Sequence, residues 1–138
     1  LLAGNKAAQA LPYLREAVRL QPDFVDAQVT LGWALNRTGQ AAEAVPYFEA
    51  ALRAQPRDPA ARSGMGTALL ALGRADESIP HFEAVLQQYP NLAIAHFNLG
   101  SALEAVGRSS EAAEHFAAAL KFQPDYPGAA EALARTRR

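Results

Sequence analysis

Three histidines, His81, His96 and His115, are the residues most ready for chemistry, and His81 and His115 stand 34 residues apart. Imidazoles at a fixed spacing raise the question of a metal, and a zinc site takes three or four ligands. Tyr13 and Tyr47 fill the same register position upstream, so the pattern predicts a Tyr/Tyr/His/His row across stacked elements rather than a ligand set. Paired carboxylates such as Glu111 and Glu114 serve acid–base chemistry only where their surroundings push their proton affinities apart. Here they fall on a polar helix face. The sequence has no Ser-His-Asp order that can be argued and no glycine-rich phosphate loop. With no cysteine, thiolate metal sites and disulfides are excluded. The expectation is therefore no catalytic residue, no metal and no cofactor. Arg135, Arg137 and Arg138 are the densest cationic cluster, but no basic stripe continues them. Thirteen basic residues against 14 acidic ones leave a net charge of -1, so nucleic acid is not an expected partner.

The elements that would position any site are legible in the punctuation. Pro22, Pro56, Pro90 and Pro124 recur at intervals of 34, as do Gly32, Gly66 and Gly100, and Gly39, Gly73 and Gly107. A register kept without insertion marks an array of one supersecondary unit. Within each unit two stretches carry helical periodicity, for example Ala27, Leu31, Ala34 and Leu35, then Ala44, Val45, Phe48, Ala51 and Leu52. The glycine between them ends the first helix and the proline follows the second. No segment alternates with period two, so no strands are expected. Half the residues are hydrophobic, enough for a core, yet no run approaches the ~18 apolar residues of a membrane span. A soluble chain with no membrane partner is expected, with the cytoplasm as its favoured compartment.

At this resolution the sequence resembles the tetratricopeptide repeat family. Leu31-Gly32, Met65-Gly66 and Leu99-Gly100 match its Leu-Gly step, and Leu35, Leu69 and Leu103 its tyrosine position. Ala44, Ser78 and Ala112, then Phe48, Phe82 and Phe116, then Ala51, Val85 and Ala119 match the rest. Gln28, Arg62 and His96 replace the motif's tryptophan, and His96 is expected as a partly buried structural residue. The resemblance implies an all-α fold, a right-handed α-solenoid of antiparallel helix-turn-helix repeats. The expected organisation is a partial repeat over 1–24 (mainly helix B), repeats over 25–58, 59–92 and 93–126, and a capping helix over 127–138. Residues 1–4 match only the tail of a helix A, and the first residue is leucine, so further repeats are expected upstream. Arginine outnumbers lysine 11 to 2 and alanine is abundant, which hints at a GC-rich bacterial genome.

The resemblance also implies that helix A of each repeat lines a concave wall. That places Val29, Trp33, Asn36 and Arg37, then Ser63, Thr67 and Leu70, then Ile94, Phe97, Asn98 and Ser101 in a groove for a peptide or a partner helix. Trp33 and Phe97 would form an aromatic wall at each end, and Asn36 and Asn98 would bond a ligand backbone; the competing expectation is that Trp33 packs, half-buried, on the next helix A. The asparagine ladder of O-GlcNAc-transferase-type repeats is broken here by Thr30 and Gly64. The carboxylate clamp of chaperone-binding repeats is not expected either, because its positions hold Val29, Trp33, Gly64, Ile94 and Asn98 with no cation. The function implied is a non-catalytic protein-binding module, with a docking region of a larger enzyme such as a glycosyltransferase as the alternative. A self-association scaffold is a third reading, because an unpartnered first helix would expose Leu11, Leu14 and Val18 and so favour a homo-oligomer. One local irregularity recurs: Pro12, Pro46 and Pro80 fall inside helix B, where each should bend the helix slightly and leave a carbonyl facing water.

Overall fold

A computed structural model describes residues 2–137, with side chains from Asn5 onward. Eight helices follow one another: α1 (Leu2–Leu20), α2 (Val25–Arg37), α3 (Ala41–Ala54), α4 (Pro59–Ala71), α5 (Ala75–Gln88), α6 (Ala93–Ala105), α7 (Ser109–Phe122) and α8 (Ala129–Thr136). No strand occurs among the described residues. The helices form antiparallel hairpins, α2–α3, α4–α5 and α6–α7, that stack in chain order into an α-solenoid. The all-α solenoid expected from the repeat pattern is thus the fold found.

Each hairpin turns where a glycine permits it. Gly39, Gly73 and Gly107 take φ of 78°, 75° and 84°, the left-handed region that side chains disfavour. The residue after each glycine then closes the helix end, Gln40 N–H to the Leu35 carbonyl at 2.8 Å, Arg74 to Leu69 at 2.8 Å and Arg108 to Leu103 at 2.9 Å. Asn5 stands at the corresponding point of the first unit, and there the chain does not turn: α1 runs unbroken through it. The helix-A tail expected at the N-terminus is therefore not a separate element over Leu2–Gly4.

The core is a row of phenylalanines. Phe48, Phe82 and Phe116 have no exposed surface, and burying such a ring contributes ~1.5–3 kcal/mol. Each ring lies against the glycine of its own helix A, so that a Cβ on Gly32 would come to 2.6 Å from Phe48, on Gly66 to 2.7 Å from Phe82 and on Gly100 to 2.8 Å from Phe116. Phe48 also presses on Gly64 of the next hairpin, leaving no room for a side chain there. Helices α1, α3 and α5 continue through Pro12, Pro46 and Pro80. The carbonyls four residues before these prolines, which the proline nitrogen cannot bond, belong to the exposed residues Ala8, Ala42 and Asp76.

Candidate functional site

Helices α2, α4 and α6 lie side by side and form one wall of the solenoid. Because each is a helix A in the same register, residues 34 apart fall in line along it. At the α1–α2 end a cavity of about 530 Å³ opens between the two helices. Its floor is apolar, from Ala7, Ala10, Leu14, Val29, Trp33 and Ala34, and its rim carries Lys6, Thr30 and Arg37. Arg37 and Thr30 are exposed, whereas Val29 is buried. Thr30 Oγ1 donates to the Asp26 carbonyl at 2.7 Å, so its hydroxyl is already spent on its own helix.

Trp33 is half-buried, as the packed alternative for it expected, and its indole is held from two sides. Nε1–H donates to the Ala60 carbonyl of α4 at 3.1 Å, and the ring meets Phe48 edge-on at 6.1 Å. Its remaining surface lines the cavity. Asn36 is also committed within the chain, Nδ2 donating to the Gly64 carbonyl at 3.1 Å, while its Oδ1 is buried without a partner. The amide donor expected for a ligand is therefore used to tie α2 to α4.

Ser63 and Thr67 are half-buried in the middle of the wall, and Leu70 packs against the second core cluster. At the α6 end Ile94 is exposed and Asn98 half-buried. Ser101 Oγ donates back to the Phe97 carbonyl at 3.0 Å. Phe97 differs from the open aromatic wall the sequence suggested. Its ring packs on Phe116 at 5.4 Å and on Tyr126 at 5.0 Å, and Gly128 lies against it. The segment after Pro124 folds back over it, and burial there raises the Tyr126 phenol above its ordinary value. Helix α8 docks through buried Ala129 and Ala132, and its Arg135 guanidinium reaches both oxygens of Glu104 at 2.6 and 2.8 Å and holds that carboxyl below its usual range.

A second set of contacts escaped the sequence reading. The residue at the motif's tryptophan position reaches back, in every full repeat, to the proline six residues earlier. Gln28 Nε2 donates to the Pro22 carbonyl at 2.5 Å, Arg62 Nε to Pro56 at 3.0 Å and His96 Nε2 to Pro90 at 2.7 Å. Three chemically unlike side chains thus perform one task, and the constant offset of six was the signal available for it. Arg62 goes on to donate to His81 Nδ1 at 3.2 Å; burial first and the Arg62 charge second hold His81 below the ordinary imidazole value. His96 reaches His115 and is half-buried, as expected of it. No group of three or more metal-ligating side chains occurs among the described residues.

The tetratricopeptide repeat pattern matches residues 1–59 and 63–130. This chain belongs to the tetratricopeptide repeat family. Among solved structures it is similar to MamA from Desulfovibrio magneticus RS-1 (residues 41 to the end), with 24% identity, TM-score 0.79, and coverage of 95% of this chain and 84% of that one. MamA of AMB-1 is 29% identical, with TM-score 0.74 over 84% of this chain and 68% of its own. The first repeat domain of human RPAP3 is 17% identical, with TM-score 0.78 over 84% and 91%. No curated protein matches the sequence. A repeat array of this family presents protein-binding surface, and no described helix is long and apolar enough to cross a membrane.

Proposed function

We propose that the chain is a non-catalytic interaction module that takes a peptide or partner helix on its inner wall, at the α1–α2 end. The observation that supports this is the cavity of about 530 Å³ over Trp33, an apolar floor with Lys6 and Arg37 on its rim. Such a surface suits an apolar anchor flanked by a carboxylate: the anchor displaces water from Trp33 and the rim cations select the charge. The other inner-wall residues, Ser63, Thr67, Ile94, Asn98 and Ser101, would extend the contact along the wall, with Leu70 and Phe97 supporting it from beneath.

The test is capture of binding proteins from native lysate by the wild type, Trp33→Ala and Arg37→Glu. Arg37 is exposed and makes no side-chain hydrogen bond or ion pair among the described residues, so its charge reversal leaves the packing alone. The expected result is a captured protein lost from both variants with helicity unchanged. Equal capture by folded Arg37→Glu and folded Trp33→Ala removes the cavity from the function.

Self-association is the second reading, and the structure shifts its basis. Leu11, Leu14 and Val18 are half-buried against the first core cluster rather than exposed. Tyr13 and Leu20, 79% and 64% exposed, are the apolar groups that α1 offers to a second copy. Sedimentation of the wild type against Tyr13→Ser/Leu20→Ser distinguishes the two readings, since only self-association predicts a mass that depends on concentration and falls in the double variant.

A further inference from the structure

The ties between helix A and the preceding loop differ in one respect that matters for regulation. Gln28 cannot titrate in the accessible range, and Arg62 stays charged throughout it. At His96 alone the tie is made by an imidazole, the side-chain type used as a proton switch in proteins, and its other nitrogen meets a second imidazole. His96 Nε2 lies 2.7 Å from the Pro90 carbonyl and His96 Nδ1 lies 3.1 Å from His115 Nδ1. A carbonyl only accepts, so His96 Nε2 must carry a proton in every state that keeps the loop tied. Only one proton fits between the two Nδ1 atoms. With both rings neutral, His115 Nδ1–H donates to the His96 lone pair. A first added proton goes to His115 Nε2 and leaves that bond in place, now charge-assisted. A second has only His96 Nδ1 left, and it sets two N–H groups against each other.

We propose that the His96–His115 contact is an acid-sensitive latch between α6 and α7 that stays closed with zero or one added proton and opens with two, while His96 Nε2–H keeps its bond to the Pro90 carbonyl throughout. The charges facing the pair fit this. Glu83 of α5 and Glu111 and Glu114 of α7 favour protonation of His115, which suits the first step. Burial, and then the neighbouring His96, act against it and set His115 below the ordinary imidazole value. Phe122 stacks on His96 at 5.7 Å, and the Lys121 ammonium lies 5.4 Å from the Phe122 centroid, so a cation already stands near the stack. Burial, followed by the neighbouring His96, suppresses protonation of His115 in the native state, and the unfolded chain is free of both. Stability is therefore full above the imidazole range and declines as pH falls through and below it. Ile94, Phe97, Asn98 and Ser101 ride on α6, so the latch places the α6 end of the inner wall under control of pH while the Trp33 end stays unaffected.

Histidine side-chain ¹⁵N spectra across pH, with thermal unfolding of the wild type and His96→Gln, test this. The variant copies Gln28, which holds the same loop without titrating. In the wild type, the two rings should protonate in two steps more than about one pH unit apart, with His115 Nδ1–H retained through the first. Between about pH 7.5 and 4.5 the wild-type midpoint should fall at least ~3 °C further than that of the variant. His96→Arg, which copies Arg62, serves the same comparison if His96→Gln does not fold. Independent, coincident titration of the two rings overturns the proposal, as does an equal loss of stability in the wild type and the folded variant.

Discussion

Trp33 and Phe97 are two aromatic residues on the same wall, two repeats apart, and they meet opposite fates. Trp33 is anchored by its indole N–H to Ala60 and by its edge to Phe48, and keeps one face toward a cavity. Phe97 is covered by Tyr126 and the turn that leads into α8. An aromatic side chain on this wall thus keeps an open face only where no neighbouring segment packs over it. The difference lies in the neighbouring segment and in register: Phe97 stands at the position that buried Val29 holds in α2, and Trp33 at the position that Ser101 holds in α6.

Substitutions can break or sharpen this contrast. The largest effect is expected from Phe48→Ala, which removes the ring shared by Gly32, Gly64 and Trp33 and should cost about 3–5 kcal/mol in urea unfolding. If the cost were under ~1 kcal/mol, the row of phenylalanines would not be the core. Phe97→Ala should cost about 2 kcal/mol, because its ring is half-buried between Phe116 and Tyr126, and should leave partner capture at the Trp33 end intact. A variant that lost capture without losing stability would reverse the roles assigned to the two aromatics. Trp33→Phe keeps a ring in the cavity but gives up the bond to Ala60, for an expected loss of about 1 kcal/mol and partial retention of binding. Arg135→Ala is expected to have the smallest effect. Its pair with Glu104 is partly open to water, so the unfolding midpoint should move little, and α8 should remain docked through Ala129 and Ala132.

The fold was legible because its determinants are local and repeated. A glycine that must turn the chain and a phenylalanine that must meet a glycine recur at every 34th residue, so one unit predicts the next. The inner wall was legible only as a set of positions. Whether Asn36 faces a ligand depends on the Gly64 carbonyl, 28 residues away, and whether Phe97 is open depends on how Tyr126 folds back. Neither contact follows from periodicity. The loop ties show a third case. Gln28, Arg62 and His96 share a role that lies in geometry, a donor over a carbonyl, while the motif records only that tryptophan is missing.

The account rests on the inner wall at Trp33 being a docking surface. Its most direct measurement is photo-crosslinking in native lysate from benzoylphenylalanine placed at Thr30, on the cavity rim, and in parallel at exposed Glu49 of helix α3. The expected result is a discrete adduct from position 30 that Trp33→Ala abolishes and that position 49 does not give. Adducts of the same pattern from both positions, or from position 49 alone, would contradict it.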